Sequence, residues 1–350
     1  MKENKERTLY FDCLRLLATY AVVVLHMAAS NWYDSDVTTV QWQMMNLYDS
    51  LVRWSVPVFV MISGALFLGR DITLKSLLQK NILRVAIAFV FWSLTYALIQ
   101  GGGRNTVIDN IISGHYHLWF IPMIIGLYLC VPLLRKIVAD EKLMQYFLLL
   151  AVVFNYAIPQ LLQLVRDFAP HILVAVADAA EEPLQDMNFH FALGYSGYFV
   201  AGYALSKVEL SLRSKKWLYV AAVAGGVVTI GLDALLSLRS GEPTGTYYGN
   251  CTMNVMAMSL GLFVWVKERM AKKTVTQRVE RFVALLSKYS FGAYLIHALV
   301  IDLLEQHLGL HSLTFHPALS IPLISLLVFV ISMAASALLH RIPVVNKYIV

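Results

Sequence analysis

The sequence predicts an all-α integral membrane protein, a bundle of about ten transmembrane helices with both termini cytoplasmic. Residues 1–350 read as one membrane domain with no appended soluble domain. Three observations carry this. The chain is 58% hydrophobic and 14% charged, with a mean hydropathy of +0.63, whereas a soluble domain devotes about a quarter of its residues to charge. Breaking it at polar and turn-rich points leaves ten apolar stretches, 9–31, 48–69, 80–100, 117–138, 145–164, 189–207, 216–238, 250–270, 287–307 and 318–340. Each is about 20 residues, the length a helix needs to cross a bilayer, and none alternates as the strands of a membrane barrel do. With the N-terminus inside, twenty-two of the 28 Lys and Arg fall in or beside cytoplasmic loops. Only Arg104, Arg166 and Arg239 fall outside, while Arg15, Arg53 and Arg84 lie within spans. One span more or fewer would swap the side of every later loop and destroy that asymmetry.

Taken in order, the spans separate those made for lipid from those that carry chemistry. Span 1 holds Arg15 and His26, eleven residues apart, which is about three helical turns and a rise of roughly 16 Å along one face. Asp12 shares that face and can pair with Arg15. Ionisable groups at membrane depth face a bundle interior or a wet cavity and mark function. Ala28-Ala29-Ser30 imitates a signal-peptide cleavage site, but the apolar stretch before it is too long and carries Asp12 and Arg15. Span 2 sets Asp49 and Arg53 one turn apart, as a structural ion pair or a substrate contact, ahead of Pro57, Ser63 and Gly64. Span 3 opens with Lys80 and Arg84 at the cytoplasmic end, where they either snorkel to headgroups or bind an anionic cytosolic ligand. Span 4 begins His115-Tyr116-His117-Leu118-Trp119-Phe120, aromatics that also suit an interfacial belt. Span 9 holds Ser290, Gly292, Tyr294, His297, Asp302 and Glu305.

Other chemistries find no support. His297, Asp302 and Glu305 are spaced five and three apart, which scatters them around a helix, and His307, His311 and His316 share no ligand spacing, so no metal is expected. Cys13, Cys130 and Cys251 all fall in spans and give no disulfide framework. No nucleotide-binding loop or hydrolase elbow occurs, and Gly101-Gly102-Gly103 reads as a flexible outer turn. The net charge of +6 belongs to loops that touch anionic lipid, including the basic run from Lys267 to Lys288; nucleic acid is not expected as a partner.

Four ordered segments together resemble the membrane acyltransferase 3 family. Phe11-Asp12-x-x-Arg15, followed by ten residues and His26, is similar to the family's opening signature. Val56 to Gly64 resembles its second-helix segment, and His117-Leu118-Trp119-Phe120 with Tyr128 and Pro132 resembles its fourth-span segment. Ser287-x-x-Ser290-Phe291-Gly292-x-Tyr294-Leu295-x-His297 resembles its segment near the C-terminus. The nearest type is the stand-alone O-acetyltransferase, such as the one acting on enterobacterial common antigen. The resemblance implies transfer of an acyl group, most often acetyl, from cytosolic acetyl-CoA to a hydroxyl of an extracytoplasmic glycan or lipid-linked glycan precursor. It implies a multi-pass protein of a bacterial cytoplasmic membrane whose partners are acyl-CoA, the glycan acceptor and the lipid bilayer. Two departures stand out. No soluble esterase-like domain follows span 10, and the carboxylate many relatives carry in span 4 is missing around Ile124-Ile125-Gly126. His26 is therefore oriented by another group or by none.

On this reading His26 is the general base, since a sugar hydroxyl needs a base and imidazole titrates near the working pH. Arg15, steadied by Asp12, orients the donor arm or stabilises the oxyanion at the thioester carbonyl. Lys80 and Arg84 meet the CoA phosphates. Arg53, Ser63, Trp119, Tyr128, Tyr294 and His297 are secondary candidates. A proton-coupled transporter or polysaccharide exporter uses buried Asp, Arg and His equally well. Cleavage of a thioester by purified protein separates the two readings.

Overall fold

The computed structural model describes residues 9–101 and 104–350, and every regular element among them is helical. Lys2, Lys5 and Arg7 of the charge pattern, and Gly102 and Gly103 of the outer turn, lie outside the described residues. The chain runs through α1 (Leu9–Ala29), α2 (Val40–Val52) and α3 (Ser55–Leu68), then a short α4 (Leu74–Ser76) that passes through a π-helical stretch, Leu77–Ile82, into α5 (Leu83–Gln100). After α6 (Arg104–Ser113) and α7 (Phe120–Val138), α8 (Glu141–Leu150) continues through a second π-helical stretch, Ala151–Ala157, into α9 (Ile158–Phe168). There follow α10 (His171–Asp186), α11 (Phe189–Lys207), α12 (Leu212–Ser240), α13 (Met253–Ala271), α14 (Gln277–Leu308), α15 (Pro317–Leu339) and α16 (Pro343–Tyr348).

Among the described residues nine helical segments are long and apolar enough to cross a membrane. The expected span at 189–207 is not one of them, although a helix occupies it. Its tyrosines, serines and glycines lower its apolarity, and its backbone kinks at Gly194. Such a helix can afford polar content because it packs on protein: Leu193, Ser196, Tyr198, Phe199 and Val200 are all buried.

Of the boundaries that differ from expectation, three have a local reason. Span 2 begins at Val40, capped by Thr39, whose hydroxyl accepts from the Trp42 amide at 3.2 Å. It breaks at Arg53–Trp54, because Pro57 has no N–H to offer the Arg53 carbonyl one turn back. Span 4 begins at Phe120, leaving His117, Leu118 and Trp119 in the preceding turn. Span 9 begins at Gln277, because the polar stretch before residue 287 stays helical outside the apolar window.

Burial sorts the helices into centre and rim. In the apolar windows 61% of Gln277–Leu308 and 56% of Leu9–Ala29 are buried, against 17% of Glu141–Phe168, so α1 and α14 form the axis. The rim helices turn Val90, Leu94, Leu98, Leu133, Leu161 and Leu323 outward, where lipid rather than water is the natural contact. Two glycines let α3 and α11 touch backbone to backbone: a Cβ on Gly64 would overlap the Phe199 carbonyl, and one on Gly202 the Met61 carbonyl. Small residues at helix crossings serve this purpose in membranes, where no hydrophobic force drives helix against helix. The basic run that begins in α13 is partly structural, since the Lys267 ammonium donates to the carbonyls of Leu205 (2.7 Å) and Val208 (2.9 Å) at the end of α11.

Tags placed at both termini are expected to be cytoplasmic and a tag within 166–186 external. Protection of that internal tag in intact cells would overturn the map.

Candidate functional site

An internal cavity of about 550 Å³ runs between the axial helices and is lined from both ends by polar side chains. That volume lies within the range of small-molecule sites. Four cations bring α1, the π-helical stretch, α5 and α14 together at one end: Arg15, Lys80, Arg84 and Lys288. At the other end are His26, Arg53, His117, Trp119 and Asn250. Ser63, Asn81, Tyr128, Ser287, Ser290 and Tyr294 complete the polar lining.

The spacing on α1 does what a helix requires of it. Asp12 and Arg15 lie one turn apart and interact at 3.5 Å; Arg15 also donates to the Ser287 hydroxyl of α14 at 3.1 Å. Asp12 is 3% exposed and does not line the cavity, so it steadies Arg15 from behind. Three turns further on, near the end of α1, His26 reaches the same cavity.

His26 is held by rings. Its imidazole stacks on His297 with centroids 5.2 Å apart, and meets Tyr116 edge-on at 5.0 Å. The departure seen in the sequence is thereby answered structurally: no carboxylate among the described residues hydrogen-bonds His26. His297 stands behind it, fully buried and off the cavity wall. Its Nδ1 lies 2.5 Å from the Tyr294 carbonyl, which can only accept, so Nδ1 donates the proton of that bond. Tyr294 in turn donates its hydroxyl to the His117 carbonyl, tying α14 to the turn before α7.

The other expected residues divide between lining and support. Lys80 and Arg84 both reach the cavity, Lys80 from the π-helical stretch, a distortion common at functional sites, and Arg84 from the first turn of α5. The Arg84 guanidinium also donates to the Val350 carbonyl at 2.6 Å, so part of its capacity is already engaged. Arg53 keeps both meanings its sequence position left open. It pairs with Asp49, lies 4.0 Å above the Tyr248 ring, and lines the cavity. Trp119 caps α7, packs 5.9 Å from Tyr195 and lines the cavity mouth. Ser63 and Tyr128 face the cavity from α3 and α7, with Tyr128 packed 4.4 Å from Phe67.

Of the lining residues that the sequence does not mark as site candidates, four bear most on the chemistry. His117 stood in a quoted motif, but its aromatic neighbours suggested a belt at the membrane surface; in the structure the turn folds inward and His117 is 1% exposed. Lys288 was counted only as a topology charge. Ser287 is an ordinary serine until Arg15 reaches it. Asn250 precedes α13 with no local signal, and its amide donates to the Tyr195 hydroxyl at 2.9 Å. Among the described residues no group of three or more His, Cys, Asp or Glu is arranged to hold a metal.

A family model described as an acyltransferase domain matches residues 8–341, nearly the whole chain. Comparison with curated proteins and with solved structures returned no match.

Proposed function

The chain belongs to the acyltransferase 3 family and is a membrane acyltransferase, and from that premise we propose that it carries an acetyl group from cytosolic acetyl-CoA to a hydroxyl of a glycan, or lipid-linked glycan precursor, beyond the membrane. One observation carries the reading: a single cavity joins four cations at one end to His26 and an aromatic, amide-bearing mouth at the other. The charge asymmetry of the loops assigns the cationic end to the cytoplasm. A bacterial cytoplasmic membrane is the setting such chemistry suits.

In the proposed mechanism Lys80, Arg84 and Lys288 draw the CoA phosphates to the inner mouth, and the thioester arm extends inward past Arg15. His26 removes the proton of the acceptor hydroxyl as its oxygen attacks the thioester carbonyl. Arg15, held by Asp12 and Ser287, stabilises the developing oxyanion. Trp119 and Arg53 frame the acceptor, Ser63, Tyr128 and Tyr294 shape the passage, and His297 supports the His26 ring. Direct transfer needs no acyl-enzyme, and no residue here demands one.

The reading is tested by incubating purified protein with labelled acetyl-CoA and membrane glycans, and by mass spectrometry of surface glycans from wild-type and deletion strains. Thioester cleavage and a missing acetyl mass in the deletion are expected. An intact thioester with unchanged glycans would refute it. For the donor end, Lys80→Ala/Arg84→Ala is expected to weaken acetyl-CoA binding, by a factor that shrinks as salt is added because phosphate attraction is screened. Unchanged affinity in a folded double variant would remove both residues from the donor site.

A further inference from the structure

We propose that His117 and His115 relay the acceptor's proton to the outer face, so that each acyl transfer releases one proton on the acceptor side and takes one up on the donor side. This rests on the transferase reading above. It concerns where the proton goes, which that reading leaves open.

The geometry begins at the cavity wall. His117 lines the cavity beside His26, with ring centroids 6.5 Å apart, a gap that one water or the acceptor hydroxyl fills. Its Nε2 is buried with no hydrogen bond of ordinary geometry, although the Leu295 backbone lies near enough to act on the ring, while its Nδ1 lies 2.8 Å from Nδ1 of His115. Two imidazole nitrogens at that distance share a single proton, one ring donating and the other accepting. His115 sits in the turn after α6, stacked 4.3 Å from Tyr96, one turn short of the end of α5 at Gln100. It keeps 7% of its surface accessible where His117 keeps 1%. The pair therefore connects a ring on the cavity wall to one that lies nearer the edge of the bundle.

Electrostatics sets the direction. The groups around the pair and its neighbours His26 and Tyr116 are His26 of α1, Arg53 between α2 and α3, Tyr96 of α5, Tyr116 of the same turn, and Tyr294, the Leu295 backbone, His297, Asp302 and Glu305 of α14. The two carboxylates lie on the outer part of α14 and act on Tyr116, beside His115. The cavity's other end holds Arg15, Lys80, Arg84 and Lys288, four cations that repel a proton moving that way. A proton leaving His26 thus meets four cations on one side, and on the other a single arginine already paired with Asp49, then imidazoles followed by carboxylates.

The step balances as follows. The acceptor oxygen bonds to the acyl carbon, the thioester C–S bond breaks, and sulfur leaves with the electron pair. His26 holds the hydroxyl proton and passes it to Nε2 of His117. The proton on Nδ1 of His117 moves to Nδ1 of His115, and the Nε2 proton of His115 leaves to outer water. Half-turns of the two rings reset the pair. The thiolate, in the cationic end, takes its proton from cytosolic water.

Inverted membrane vesicles from cells producing the protein test this, with a pH-sensitive dye inside and labelled acetyl-CoA added outside. The acceptors are then those the membrane already carries in the lumen. The expected result is acidification of the lumen by one proton per acetyl group transferred, absent from vesicles lacking the protein. His115→Ala and His115→Gln should each slow transfer by at least about tenfold, and imidazole loaded into the lumen should restore the rate, which a merely structural role would not allow. Label transferred with the lumen pH unchanged would overturn the relay while leaving the transferase intact. No transfer by the wild-type protein would overturn the transferase reading beneath it.

Discussion

His26→Ala is expected to fold, bind acetyl-CoA and transfer acyl groups slower by a factor on the order of 10² or more. His26→Gln is expected to be nearly as slow, because its amide keeps hydrogen-bonding capacity and loses basicity. In the wild type, turnover should fall as pH drops through the range in which imidazole gains its second proton, since the charged ring has no lone pair to offer. His297 stacks behind His26 and does not line the cavity, so His297→Gln should shift the rate less than His26→Gln. Thermal melting measured beside the rate separates chemistry from folding. Turnover near the wild-type value in a well-folded His26→Gln protein would leave His26 a positioning residue, and the base would have to be sought at His117, the other imidazole on the wall.

Gly64→Ala and Gly202→Ala should each destabilise the bundle by about 3 kcal/mol or more, since the new methyl must push two backbones apart. The neighbour in each case is a carbonyl of a packed helix, Phe199 for Gly64 and Met61 for Gly202, and neither can rotate away. Gly231→Ala on α12 is the control. Nothing lies within 4 Å of its Cβ position, and alanine is the better helix former by about 1 kcal/mol. Melting of the three variants in one detergent decides the matter. If Gly64→Ala melts with the control, the close crossing of α3 and α11 is not what holds the bundle together.

Composition, span length and the distribution of Lys and Arg were enough for an all-α membrane bundle, because lipid makes helix the only open structure that satisfies its own backbone. Four short segments were enough for the family. The eleven-residue step from Arg15 to His26 was enough to place both on one face, since helical geometry is local and periodic. Other features were decided only when distant elements met. Asp49–Arg53 could be a structural pair or a site contact by spacing alone; in the bundle Arg53 keeps the pair, lies over Tyr248, 195 residues later, and takes a place on the cavity wall. The turn at His115–Trp119 reads as a surface belt in sequence, because aromatics at a span's end look alike whether they face headgroups or fold inward. Lys288 changes from a topology charge to a cavity wall only because α14 packs against α1, where Arg15 reaches the neighbouring Ser287. What a helix does to its own side chains can be read along the chain. Which helix stands opposite, and hence whether a polar side chain meets lipid, solvent or a second histidine, depends on contacts between residues hundreds of positions apart, and those only the folded bundle determines.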